Sequence, residues 1–269
     1  MVRHIIWLII IFLSFEIIPC FSQEQYDDIT DLEVYSKKMT PVDLIDNPTA
    51  NIIPRRRFEM KLRVYHLGGI LGSIQVAVTP RMMFGVSYGG QNVIGQGEIQ
   101  WNKAPGVNVR YRLKFEDLLL PAISLGFDSQ GYGTYYADED RYQIKAKGFY
   151  LSGSKNFFLI KDLGIHGGVN FSSENKGPEN DLNFFVGAHL MLDQDITLLW
   201  EYDFGINDND TTSLGAGKGY MNVAIQWHFS REISFEFSFK NLLRNIRPEE
   251  GESDPNSMRE LKVIYYMML

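Results

Sequence analysis

The chain has 269 residues, 45% of them hydrophobic and 22% charged, with a formal charge of −7. That balance excludes a disordered polymer, a collagen-like repeat and a bundle of membrane-spanning helices. No apolar run beyond the extreme N-terminus reaches the length a spanning helix needs. The acidic excess argues against nucleic acid as a partner. Glycine (24) outnumbers proline (10), and 18 Phe with 14 Tyr suit strands and tight turns. Two classes remain, a soluble β-protein and an outer-membrane barrel.

The first 22 residues read as a cleavable export signal. Arg3 and His4 open it, an apolar run follows to Phe15, and Pro19 precedes Cys20-Phe21-Ser22 with small residues at the −3 and −1 positions. Glu16 ends the run too early for an anchor, and Pro19 is a poor neighbour for an acylated Cys20. Cleavage after Ser22 removes the one cysteine, so no disulfide, thiolate metal site or thiol nucleophile is expected. Residues 23–56 read as a periplasmic segment, and 57–269 as the barrel. At the boundary between them, Arg55, Arg56 and Arg57 would stand where the first strand enters the bilayer. There they could meet lipid phosphates or act as a solubilising charge run.

From Phe58 onward the pattern has a period of two. Phe58, Met60, Leu62 and Val64 alternate with Glu59, Lys61 and Arg63, and Phe235, Phe237 and Phe239 with Glu236, Ser238 and Lys240. Such alternation gives each strand one apolar and one polar face. Runs of this kind occur near 57–67, 70–79, 81–88, 107–115, 120–128, 143–156, 163–172, 181–192, 195–205, 219–229, 232–241 and 258–269. Most match the roughly 9–11 residues of a tilted strand crossing a bilayer. Short turns and long polar connections alternate between them, with the tight Leu67-Gly68-Gly69 turn as the exception. That rhythm belongs to barrels with short periplasmic turns and long external loops. The expectation is an all-β, up-and-down antiparallel transmembrane barrel of about twelve strands in the outer membrane. Its partners would be outer-membrane lipids and the barrel-assembly machinery, whose C-terminal signal the last strand resembles. Tyr88, Trp101, Tyr132, Tyr135, Tyr136, Trp200, Trp227 and Phe229 are candidates for the interfacial aromatic girdles.

The stretch LIDNPTANIIP (44–54), set just before the first alternating strand, resembles the start of the YjbH-like exopolysaccharide-associated outer-membrane β-barrel family. VRYRLKFEDLLLPAISLGFDSQGYG (109–133) and GFYLSGSKNF (148–157) are similar to later elements of that family. Asp43 stands where a glycine is common there, and this chain is much shorter than the larger members. The resemblance implies a barrel with a role in exopolysaccharide export or assembly, working with anionic polysaccharide or export components. It supplies no catalytic residue.

On the inward faces the bases cluster. Lys61 and Arg63, then Arg110, Arg112 and Lys114, then Lys145 and Lys147, with Lys155 as a further candidate, could form one positive wall. Glu201, Asp203 and Glu236 would face it. A water-filled lumen of this kind favours anionic solutes, whereas a filled one uses the same charges as an internal network. A general anion-preferring channel and a structural or partner-binding barrel therefore stand beside the export role.

Catalysis is not expected. A lipid hydrolase would need a serine beside a histidine, and His228 with Ser230 resembles the His-x-Ser pair of lipid A deacylases but falls at the periplasmic end. His166 and His189 would point inward from adjacent strands. The acidic runs 138–140, 208–210 and 249–252 could hold calcium but lack an EF-hand spacing and read as solvated loop tips. No phosphate-cradling glycine loop opens a helix, so no cofactor is expected.

Overall fold

The computed structural model describes residues 40–157, 162–211, 213–247 and 258–268. The export signal, residues 23–39 and the acidic run 249–252 lie outside the described residues.

Fifteen strands are described: β1 (Arg57–Tyr65), β2 (Gly69–Thr79), β3 (Met82–Gln91), β4 (Gln100–Trp101), β5 (Gly106–Lys114), β6 (Ala122–Asp128), β7 (Tyr132–Tyr136), β8 (Arg141–Ile144), β9 (Gly148–Phe157), β10 (Leu163–Phe171), β11 (Asn183–Met191), β12 (Ile196–Asp203), β13 (Tyr220–His228), β14 (Ile233–Lys240) and β15 (Met258–Met268). Twelve form one antiparallel ring, β1-β2-β3-β5-β6-β9-β10-β11-β12-β13-β14-β15, in which each strand pairs with its neighbour in chain order. The ring closes where β1 meets β15, from Arg57 opposite Met268 to Val64 opposite Leu261. Closure leaves no open edge, so the strand amides and carbonyls pair around the circle. The twelve alternating runs correspond one to one with these twelve strands.

The polarity is inverted relative to a soluble protein. On β14, Phe237 and Phe239 are about half exposed (49% and 51%), while Glu236 and Ser238, which alternate with them, are buried. On β1, Met60 and Leu62 face out and Glu59, Lys61 and Arg63 face in. Apolar groups outside and ionised groups inside are stable only where lipid replaces water around the ring. This is an outer-membrane β-barrel.

One boundary differs from the alternation. The run 143–156 is not a single strand. Arg141–Ile144 pairs with Tyr132–Tyr136 as a separate two-stranded sheet, and β9 begins only at Gly148. Gly148 has φ +62°, and a Cβ there would lie 2.1 Å from the Phe171 carbonyl oxygen, so the chain can turn at this point only through glycine. The β7–β8 hairpin folds in at the loop end of the barrel. Tyr132 packs near Ile144, Tyr220, Ile246 and Met258.

Candidate functional site: the occupied lumen

Residues 42–53 do not sit ahead of the barrel, as a division at residue 57 implies. They fold inside it, where Leu44, Ile45, Asn47, Thr49, Ala50 and Ile53 are almost fully buried. The local sequence explains the shape. The amide of Leu44 donates to the Asn47 carbonyl (2.9 Å), and that of Thr49 to the Val42 carbonyl (3.2 Å), closing a tight loop. Thr49 Oγ1 also donates to the Val42 carbonyl (2.7 Å) and accepts from the Asn51 amide (3.0 Å). Pro48 has no N–H to satisfy and restrains Asn47 before it.

This loop turns three successive amides toward one carboxylate. Glu201 on β12 accepts from Ile45, Asp46 and Asn47, each at 3.0 Å, and from Asn222 Nδ2 at 2.7 Å. A concave run of amides is a general anion receptor, here filled by a wall residue. Gly187 on β11 makes the space, since a Cβ there would come within 2.4 Å of Leu44 Cδ1.

The wall reaches the loop through its bases as well. Lys61 pairs with Asp43 (2.6 Å) and with Glu59 beside it (2.7 Å). Arg63 pairs with Asp46 (2.7 Å) and Glu260 (2.9 Å) and donates to the Ile45 carbonyl. Arg110 donates to the Val42 and Asn51 carbonyls and pairs with Asp43. Arg112 Nε donates to the Ala50 carbonyl at 3.3 Å. Lys240 pairs with Asp46 (2.7 Å), and Lys262 donates to the Ile45 carbonyl and pairs with Glu236.

Four of the bases that the sequence offers stand elsewhere. Lys114 is at the turn end of β5, partly exposed and paired with Asp117. Lys145 and Lys147 belong to the connection before β9. Lys145 pairs with Glu179, and Lys147 with Asp203, which also accepts from Asn183. Lys155 is bound to the same turn as Lys114, through Glu116 and the Asp117 carbonyl. Lys114 lies on an inward phase but at the end of its strand. Lys145, Lys147 and Lys155 share the odd phase of Phe149 and Leu151, which face outward on β9, so the alternation of that strand does not place them in the lumen. Inward phases of other strands contain Glu59, Lys240, Glu260 and Lys262, which a search for base-rich rows passes over.

Other sequence candidates also resolve. Tyr132 is not a girdle residue, because its ring lies under the Arg63 guanidinium at 4.3 Å and beside Lys240 at 4.9 Å. Tyr88 and Trp101 stack on each other at 5.7 Å, and Trp200, Trp227 and Phe229 are exposed on the exterior. Asp208 is buried rather than a solvated tip, held by Arg141 and the Tyr220 hydroxyl. Asp140 accepts from Tyr135 and pairs with Lys103. His228 bonds Ser234 and Thr197, while Ser230 donates to Glu232, so His228 and Ser230 form no pair. His166 and His189 do meet, at 2.9 Å, and His166 continues to Ser154 Oγ, which accepts the Ala50 amide. That chain ends on the inserted segment and leaves Ser154 buried.

Residues 44–54, 109–133 and 148–157 meet at Thr49 and Ala50. Ser124 donates to the Ala50 carbonyl (2.8 Å), and Ser152 to the Thr49 carbonyl (3.0 Å). Two small cavities, one lined by Tyr65, Gln91, Gln143 and Lys240 and the other by Lys147, Asn170, Asp203 and Tyr220, each hold about 10 Å³, room for a water.

No family model matches the sequence, and no curated protein matches it. Among solved structures, the chain is similar to the KdgM porin (12% identity, 78% of this chain and 98% of that one, TM-score 0.49). It is similar to the NanC porin at 12% identity, covering 79% and 99%, with a TM-score of 0.45. An outer-membrane channel from Pseudomonas putida F1 aligns at 9% identity over 83% and 100%, with a TM-score of 0.42.

Proposed function

We propose that this barrel is a non-enzymatic outer-membrane channel that its own residues 42–53 hold closed, and that it prefers anions when they withdraw. The observation that carries this reading is the charge of what fills the lumen. The segment contributes Asp43 and Asp46, each bound between two wall cations. Buried ion pairs add little net stability because both charges lose water. A filler held by such pairs and by hydrogen bonds can therefore leave once water or a solute anion takes up the wall cations that it releases. Its departure takes two carboxylates away and leaves Arg110 facing the opening.

Planar-bilayer recording of the full chain and of Glu201→Ala tests this. The wild type should be mostly closed. Glu201→Ala, which strands three amides, should open often and show a reversal potential of anion preference in a salt gradient. Silence of both proteins, or cation preference, overturns the reading.

A role in exopolysaccharide export is a second reading, favoured by the convergence of the three family-like stretches on Thr49 and Ala50. Loss of the protein should then reduce secreted polysaccharide, and unchanged secretion would remove this reading.

A further inference from the structure

Arg110 differs from the other wall bases. It is completely buried, and among the described residues its hydrogen-bond partners are Tyr150, whose hydroxyl accepts from Nε at 2.9 Å, and atoms of the inserted segment. Nη1 donates to the Val42 and Asn51 carbonyls at 2.7 and 2.8 Å, and Nη2 to Asp43 at 2.6 Å. No ion pair joins it to a carboxylate of the wall among the described residues. Lys61 lies on the other side of Asp43 and keeps Glu59 as a second partner. Asp46 is bracketed in the same way by Arg63 and Lys240, which share Glu260.

A wall cation left buried without an anion is strongly destabilising, as a general matter. The guanidinium of Arg110 therefore needs a replacement for Asp43 whenever the segment moves. Water can supply part of it. A carboxylate supplies more, because the planar fork of arginine matches two oxygens. Two such positions, each made of a cation pair, select for a ligand that fills both at once, since the second contact is then intramolecular.

We propose that Lys61–Arg110 and Arg63–Lys240 form a two-point binding site for a solute bearing two carboxylates, and that Asp43 and Asp46 stand in for it in the closed state. This deepens the channel reading and rests on it for access to the site.

The test uses the full chain carrying Asp43→Asn and Asp46→Asn, with glutarate as the two-carboxylate probe and acetate as the one-carboxylate control. The double variant should open at least about tenfold more often than wild type, since several charge-assisted bonds are lost. Glutarate should then reduce its chloride current at a concentration at least about tenfold below that of acetate. Adding Arg110→Gln should abolish that difference, and Lys240→Gln, on the other pair, should reduce it. Equal action of the two acids, or a preference that survives both substitutions in folded protein, overturns the site. If no variant conducts, glutarate-induced thermal stabilisation of the same proteins in detergent decides separately. A shift that depends on Arg110 keeps the site and removes the channel, and its absence overturns the site.

Discussion

The carboxylate of Glu201 takes the amide of Asn47 at 3.0 Å, although the two residues stand 154 positions apart in the chain. With the amides of Ile45 and Asp46 in the same grip, this contact fastens the inserted loop to the wall. Removing the acceptor leaves three buried donors, each worth about 1–3 kcal/mol if no water reaches it. Glu201→Ala should therefore raise hydrogen–deuterium exchange at residues 45–47 by at least about tenfold. Exchange mass spectrometry of the protein in detergent reads this directly, and Glu201→Gln, which keeps an acceptor oxygen, should fall between.

The outward phenylalanines give a prediction about the membrane. Phe237 faces the exterior, and its neighbour Ser238 is buried on the lumen side. An arginine on the lipid face costs about 2–4 kcal/mol near the bilayer midplane. Phe237→Arg should lower the fraction folded into liposomes, measured by the gel shift of the heated and unheated barrel. Phe237→Leu should leave that fraction unchanged.

The β7–β8 hairpin rests on Tyr132, which contacts both Arg63 and Lys240. Cation–π contacts are worth about 0.5–2 kcal/mol each. Tyr132→Ala should loosen the hairpin and expose the Arg141 peptide bond, so tryptic cleavage there should accelerate. Tyr132→Phe retains the ring and should match the wild type.

Glu174, in the connection between β10 and β11, fastens the same region by accepting from the Ala146 amide at 2.8 Å and the Tyr142 amide at 3.2 Å. Burial pushes its carboxyl up from 4.5 to about 7, against the opposing pull of those amides. The folded protein thus keeps a proton that the unfolded chain has released, and this contribution is complete below about pH 4.5. It is lost as the pH rises toward 7. The melting temperature should fall across that window through this group, and Glu174→Gln should flatten the slope in thermal unfolding from pH 4 to 8.

Much of this architecture is legible in the amino-acid sequence. The period of two along 57–65 or 233–240 marks strands, and the alternation of short and long connections separates a membrane ring from a sandwich with the same pattern. The inserted loop is not legible there, for a physical reason. VDLIDNPTANII mixes apolar and polar residues with no period, and its contacts are to Glu201, Arg110, Ser124 and Ser152, all remote in sequence. Lys145 and Lys147 share the odd phase of Phe149 and Leu151, which face outward on β9. They are buried only because they fall before the turn at Gly148, whose positive φ no alternation reveals. The surplus of inward bases is the signal that points toward Asp43 and Asp46, since buried cations require partners.

Cross-linking within the bilayer tests the occupied lumen most directly. Cysteines placed by Ala50→Cys and Ser152→Cys, in a chain also carrying Cys20→Ser, should join on oxidation, because Ser152 bonds the residue next to Ala50. The linked protein should be silent in planar bilayers, even with Glu201→Ala added, and reduction should restore its openings. Failure to cross-link in folded protein, or undiminished conductance once linked, would contradict a lumen closed by residues 42–53.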